Sequence, residues 1–453
     1  MADLGVGMQQ APQVVVTGMG AVSPVGIGCR AAFDALVAGR SGVGRITHFD
    51  PSRQRCRIAA EVKAFDALRH MDRKLARRLG RYVHFAIAAT QEALAQATFD
   101  RAAVDPSRVA CLIGSAVGDF PMLEEQITQF VRCGPGRMNP FAAARVSANM
   151  ASGTVSMLHG LTGPSFGAAS ACATGSHSLA MGWLLLRAGL ADVVLAGASE
   201  AAITPTFLES YIAMGAVTMR NDDPPRASRP FDRNRDGFVV GEGCAVLVLE
   251  TLDHAVRRGA PILAELRGIG MACDGYHCTA SHPEGRGAIQ AMRMALETAG
   301  LRPEDVDYIN AHGTSTTIND EVETRAIKAL FGEHAHRVAV SSTKSMMGHC
   351  IAAAGALEAV VCVMTLREGV IPPTINLDDP DPACDLDYVP HHARRRDVSL
   401  AMSNSFAFGG QACVLVFGRY DCSTAPEPRL GRSPGPLATP PRESGRMDVG
   451  GRP

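Results

Sequence analysis

The sequence predicts an α/β fold: a mainly parallel sheet with helices on both faces. Three observations carry this. Short apolar runs without polar alternation recur along the chain, as strands buried on both faces require. Helical segments separate them, the pattern of stacked α/β units. The 453 residues, 46% of them hydrophobic, exceed what one core ordinarily supports and point to two subdomains or a duplicated unit.

Taken in order, residues 1–12 hold no apolar run fit for a secretory signal and read as a flexible leader. Structure is expected to begin at Gln13–Gly18 (QVVVTG), a short buried strand ending in a glycine turn. Phe85–Ala97 reads as a helix and Val109–Gly114 (VACLIG) as a strand. Helix Ser176–Leu190 and the strands Val193–Ala198 and Ala245–Leu249 follow. A second set starts after about residue 260: helix Gly287–Gly300, strands Val306–Ile309 and Val338–Ser341, helix Ile351–Gly369 and strand Cys413–Phe417. Ser165–Gly189 and Ser341–Gly369 share a design, a turn of small residues running into a long helix. Two related halves, 13–260 and 261–420, are therefore expected. Residues 421–453 carry seven Pro and five Gly without apolar periodicity and read as a disordered tail.

Composition excludes several functions. With 44 basic against 45 acidic residues, the chain lacks the basic excess of a nucleic-acid binder. Aromatic residues, 5% of the total, are too few for base-stacking platforms. No run reaches the about 18 apolar residues of a membrane span. The 13 cysteines include no CxxC pair and read as small core residues of a reduced, cytoplasmic protein.

Chemistry concentrates at four junctions. Cys172 lies in GAASACATG (167–175), where small residues lead into a helix. Unpaired N–H groups and the helix dipole there favour thiolate, although a buried packing cysteine fits the local sequence as well. His312 follows a strand in YINAHGTST (308–316), where ligands bind in α/β sheets. His349 ends STKSMMGH (342–349) just before an Ala-rich helix. Each histidine alone also reads as a loop or capping residue, but one thiol and two imidazoles at such junctions form a constellation. At Phe406–Gly410 (FAFGG), a double glycine permits a tight turn. The N–H of Phe408, with that of Cys172, could form an oxyanion hole for a thioester carbonyl.

Three weaker patterns are set aside. GPSFG (163–167) matches GxSxG but lacks the strand before and the helix directly after its serine. Gly18-Met19-Gly20 lacks the third glycine and the acidic residue of a dinucleotide fingerprint. Cys273, His277, Cys278 and His282 lack zinc-ligand spacing, so no metal site is expected.

SACATG around Cys172, NAHGTST around His312, STKSMMGH up to His349 and NSFAFGG around Phe408 occur in the order found in condensing enzymes. With RNDDPPRASRPFDRNRDGFVVGEG (220–243), the chain from about 13 to 418 resembles the β-ketoacyl-[acyl-carrier-protein] synthase II group and the related ketosynthases of type II polyketide pathways. The resemblance implies a thiolase-like fold, two duplicated halves in a five-layered α-β-α-β-α sandwich. It implies an acyltransferase in which Cys172 takes an acyl group from the phosphopantetheine arm of an acyl-carrier protein. Malonyl-carrier protein then loses CO2, and its enolate attacks the Cys172 thioester to give a β-ketoacyl chain two carbons longer.

His312 and His349 would donate N–H groups to the thioester oxygen where charge develops. No cofactor is implied, because decarboxylation drives the step. The same resemblance places Lys344 near the histidines with Glu358 as its acidic partner, a pair that is either catalytic or purely structural. It sets Thr314 and Thr316 on the pantetheine arm, Val117 and Tyr211 along the acyl pocket, and Phe408 with Gly409 in a gate. Arg77 and Arg78 match a basic patch for docking the acidic carrier protein. Ala407 replaces a gate-loop glycine and is expected to stiffen the loop, and Gln411 and Ala412 replace a polar pair. Implied partners are the carrier protein and a second copy, or a chain-length factor if the chain is the catalytic subunit of a type II polyketide synthase. A non-catalytic carrier-binding scaffold is the alternative of another class.

Overall fold

The computed structural model describes residues 11–421, so the expected leader and tail lie almost wholly outside the described residues. The first strand, β1 (Val14–Ser23), is buried along its whole length. Its expected end at Gly18 is corrected: the strand continues through Gly18 and Gly20 with a register shift between Val16 and Gly18. A Cβ at either glycine would collide with the backbone oxygen of Ala93 or Ala89. These glycines therefore mark close approach of a helix, not a turn.

The first half contributes β1, β2 (Val109–Gly114), β3 (Val193–Glu200) and β4 (Gly243–Thr251), adjacent in the order β1-β4-β3-β2. The second contributes β5 (Ala264–Cys273), β6 (Tyr308–Asn310), β7 (Ala339–Ser341), β8 (Leu400–Phe406) and β9 (Gln411–Gly418), in the order β5-β9-β8-β6-β7. The two orders are one pattern. The place of β7 is taken in the first half by Ser165, which bridges Cys111 of β2 in parallel. β1 meets β5 through Val15–Glu265 and Val16–Ala264, which joins the halves.

The sheet is mixed, which corrects the mainly parallel expectation. β2–β3, β6–β8 and β6–β7 are parallel. β1–β4, β3–β4, β8–β9 and β5–β9 are antiparallel. Strands covered on both faces are uniformly apolar whatever their direction, so the apolar runs could not distinguish the two.

Alternate strand residues separate the layers. Val194 and Ala196 of β3 face a central cluster with Leu179, Trp183 and Leu357, which Leu415 and Phe417 of β9 join from the other half. Val193 and Leu195 face outward to α1 (Arg81–Gln96) and α2 (Met150–His159). Val414 and Val416 face outward to α4 (Arg286–Ala299) and α5 (Thr317–Phe331). Between the two halves of the sheet lie α3 (Thr174–Arg187) and α6 (Ala354–Glu368). The result is the five-layered α-β-α-β-α arrangement. α6 is buried from Ala354 through Leu366, as a helix apolar on all sides must be. A Cβ at Gly175 would lie 2.6 Å from the Ala356 nitrogen, so the central helices meet closely at their N-terminal ends. Among the described residues no helix is long and apolar enough to cross a membrane.

Candidate active site

The duplication places two matching turns at the mouths of the central helices. A 3-10 turn, Ala171–Ala173, leads into α3, and another, Ile351–Ala353, leads into α6. Each opens on a non-glycine residue with positive φ, 46° at both Ala171 and Ile351. Such strain costs of order 1–3 kcal/mol and persists only where neighbours enforce it. At the first turn, Thr174 Oγ1 accepts from the Ser170 N–H at 2.9 Å and donates to the Ala171 carbonyl at 2.8 Å.

Cys172 sits in the first turn and His349 just before the second. Both line a cavity of about 350 Å³ together with His312, Thr314, Thr316, Tyr211, Phe238 and Phe408. The His312 and His349 ring centroids are 5.5 Å apart with the planes at 86°. Phe238 meets His349 edge-on at 5.2 Å, and Phe406 meets His312 at 5.7 Å. The thiol residue is 7% exposed and the two histidines 4% and 2%, so the reacting groups are almost removed from water. Neither Nδ1 has a protein hydrogen-bond partner among the described residues.

Each histidine is fixed through its backbone. The N–H groups of His312 and Gly313 donate to the Glu323 carboxylate at 2.9 and 2.8 Å, and Asn404 Nδ2 donates to it at 3.1 Å. The His349 N–H donates to the Val239 carbonyl at 2.7 Å, and Gly241 N–H returns to the His349 carbonyl at 2.8 Å. The Arg220–Gly243 motif thus supplies both the strand-like rail for His349 and the ring of Phe238. It also holds Ser315, whose Oγ accepts from Arg229 N–H at 3.0 Å.

Burial and the nearby Lys344 ammonium hold both imidazoles well below the ordinary histidine range, with His349 adding to the effect on His312. Both are neutral at pH 7. Lys344 is ion-paired with Glu358 deep behind the cavity, at 2% and 1% side-chain exposure. Burial lifts the Glu358 carboxyl to about 7, against the pull of Lys344. Lys344→Met leaves Glu358 buried and unpaired and is expected to destabilise the fold by about 3–5 kcal/mol. Urea unfolding of the variant checks this.

The thiolate expectation for Cys172 is corrected. Burial pushes its pKa up to about 12, and Glu200 and Glu358 add to this against the lowering effect of Lys344. Desolvation of the buried sulfur outweighs the lowering effects of Lys344 and the local backbone. The free protein therefore holds a thiol. Its thiolate fraction at pH 7 is on the order of 10⁻⁵ and grows tenfold per pH unit. Alkylation of Cys172 by iodoacetamide should accordingly rise log-linearly from pH 7 to 10. A plateau reached anywhere between pH 8 and 10 would mean an ordinary or lowered pKa.

The other expected residues divide. Thr314 and Thr316 line the cavity with their hydroxyls 2.9 Å apart. Tyr211 lines it, whereas Val117 lies behind, packed into the apolar cluster beneath Tyr211. Phe408 lines the cavity alongside Cys172. Gly409 and Gly410 have φ of 82° and 73°, as the double-glycine turn requires. The Gly409 N–H donates to Cys278 O at 2.8 Å, and Gly410 O accepts from Asp274 N–H at 2.9 Å. Gly410→Ala adds strain and a collision with the Asp274 carboxylate. It is expected to lower turnover with little change in global unfolding midpoint, checked by steady-state kinetics beside thermal melting. Gln411 keeps the turn through its carbonyl, which accepts from Ala407 N–H at 2.8 Å. Arg77 and Arg78 are exposed on helix Arg73–Arg78, beside a groove of about 500 Å³ that Arg73, Lys74, Phe141 and Arg145 also line.

Ser165 of the GPSFG pattern bonds Ser156 Oγ at 3.0 Å. No group of three or more His, Cys, Asp or Glu among the described residues could hold a metal ion. The sequence reading missed Glu323, Phe238 and Glu200. An acidic residue in helix α5 looks like any solvated helix charge until the fold buries it.

The profile of the beta-ketoacyl synthase N-terminal domain matches residues 11–255, and that of its C-terminal domain matches 263–378. The chain is 48% identical over 408 residues to 3-oxoacyl-[acyl-carrier-protein] synthase 2 of Synechocystis sp., covering 90% of this chain and 98% of that one. The same-named protein of Coxiella burnetii is 45% identical over 407 residues, with the same coverage. Among solved structures, a beta-ketoacyl synthase from Burkholderia phymatum superposes with a TM-score of 0.85 at 35% identity, covering 90% of this chain and all of that one. A type II polyketide ketosynthase in complex with its acyl-carrier protein and bound to a hexaketide gives 0.84 at 33%, covering 91% and 100%.

Proposed function

The chain belongs to the β-ketoacyl synthase family, and from that premise we propose that it is a 3-oxoacyl-[acyl-carrier-protein] synthase of fatty-acid elongation whose Cys172, His312 and His349 carry the chemistry. The observation that carries the residue assignment is one cavity lined by a thiol and two neutral imidazoles from distant stretches of chain.

In the first stage the Cys172 sulfur attacks the thioester carbonyl of the carrier-bound acyl group. The S–C bond forms, the pantetheine sulfur leaves, and the thiol proton passes to it. The N–H groups of Cys172 and Phe408 stabilise the oxyanion. In the second stage the malonyl C–CO2 bond breaks. His312 and His349 donate N–H groups to the enolate oxygen that forms, which only uncharged rings deprotonated at one nitrogen are free to do without repelling Lys344. The enolate carbon attacks the Cys172 thioester, and a C–C bond forms as the carbonyl–sulfur bond to Cys172 breaks. The leaving sulfur takes a proton from water to restore the thiol, and the β-ketoacyl product leaves on the carrier. Loss of CO2 supplies the driving force, so the scheme calls on no metal or redox cofactor. Thr314 and Thr316 hold the pantetheine arm, and Phe408 with the Gly409–Gly410 turn gates the cavity. Lys344–Glu358 keeps a positive charge behind the imidazoles, which favours their neutral form.

Arg77, Arg78 and the surrounding basic groove dock the acidic carrier protein, in the cytoplasm, and the working form is a dimer. The synthase 2 relatives at 45–48% identity favour elongation over the polyketide reading, since the polyketide neighbour stands at 33%. Incubation with acyl-carrier and malonyl-carrier protein tests the proposal. The expected product is a β-ketoacyl carrier two carbons longer with stoichiometric CO2. No condensation with a set of acyl lengths would overturn it. Analytical ultracentrifugation separates the pathways: a stable, active homodimer supports elongation, and activity only after addition of a chain-length factor supports the polyketide role.

A further inference from the structure

Glu200 ends β3 and is fully buried. A buried carboxylate is costly unless donors surround it. Here Ser115 Oγ donates to one oxygen and Ala116 N–H to the other, each at 2.9 Å. The N–H groups of Val117 and Ala352 face the carboxylate and favour its charged form against burial, which lifts it to about 7, and the Ile351–Ala353 turn packs against β3. These groups come from two places. Ser115, Ala116 and Val117 form the loop after β2, whereas Ala352 lies in the turn between His349 and α6.

Both places bear on the cavity. Val117 and Ala116 pack with Phe207, Ile351 and Tyr211 in one apolar cluster, and Tyr211 is a wall of the cavity that holds Cys172. An acyl chain fixed at Cys172 and running past Tyr211 meets this cluster. Ile351 carries a φ of 46°, a rare strain for a β-branched residue. The next N–H, that of Ala352, is the one that faces Glu200.

We propose that Glu200 is a positioning residue that ties the apolar end of the acyl channel to the turn carrying His349, so that one carboxylate sets both the chain length accepted and the placement of an imidazole. The proposal rests on the condensing function given above. It has an electrostatic corollary. Above pH 7, where most of Glu200 is ionised, its charge raises the Cys172 thiol, so removing that charge makes the thiol more reactive even as it loosens the clamp.

Glu200→Gln in the full chain tests this, because it keeps the volume and replaces one acceptor oxygen by a donor. Amide exchange is expected to rise together in segments 115–118 and 350–353. Condensation kcat should fall about tenfold or more, the loss expected from misplacing a catalytic group, and product lengths should broaden. Alkylation of Cys172 at pH 8, where Glu200 is charged, should quicken about three- to tenfold, the effect of one nearby charge, which lost packing alone does not produce. Ser115→Ala, which removes one donor, should shift each readout in the same direction by less. Unchanged exchange in either segment, or wild-type kcat with wild-type product lengths, overturns the proposal. A wild-type protein that makes no condensation product overturns the function instead, and exchange and alkylation then still decide whether Glu200 is the clamp.

Discussion

Cys172→Ala is expected to lower condensation by about 10⁴-fold or more, the scale on which an enzyme loses its covalent nucleophile. Decarboxylation of the malonyl thioester should persist, since the imidazole pair that serves it remains. The cavity offers one thiol. Cys350, next to His349 in sequence, cannot replace it: its sulfur points into the core, 3.4 Å from the Glu242 carbonyl. Measuring CO2 release and β-ketoacyl product separately reads both halves of this expectation. Residual condensation at a tenth of the wild-type rate would place the acyl group elsewhere.

Loss of the imidazoles should split the half-reactions the other way. His312→Ala and His349→Ala are each expected to lower decarboxylation and condensation by about 10²–10³-fold, as for removal of one oxyanion donor. Acyl transfer to Cys172 should survive, giving a burst of acyl-enzyme without CO2. The rings lie 5.5 Å apart and act on one oxygen, so the double variant should fall well short of the product of the single effects. If condensation were unimpaired in both single variants, the enolate would have to be stabilised by other groups.

Much of this was legible in the sequence. The apolar runs located β2, β3, β4, β6, β7 and β9 within two or three residues, because buried strands admit little else, but β1 was ended early and β5 and β8 were missed: half-exposed residues interrupt β5, and a Ser-Asn-Ser run interrupts β8. Strand direction was not legible, since β2 and β4 are equally apolar although one pairs in parallel and the other does not. Cys172, His312 and His349 stood out because each lies where a strand or small-residue run meets a turn. Their meeting in one cavity is a property of the fold, as is the partnership of Lys344 with Glu358, which lie on separate elements. Glu323 and Glu200 were invisible, because only burial distinguishes a carboxylate that holds backbone N–H groups from one that faces water. The thiol was misjudged for a related reason: desolvation depends on everything packed around the sulfur, and the local sequence reports only the turn.

The measurement that bears most directly on the account is peptide mass mapping after incubation with an acyl-carrier protein. The expected result is one acyl adduct on the peptide bearing Cys172, absent from Cys172→Ala and discharged when malonyl-carrier protein is added. Product formed with the adduct on another cysteine, or with no adduct even under rapid quench, would contradict it.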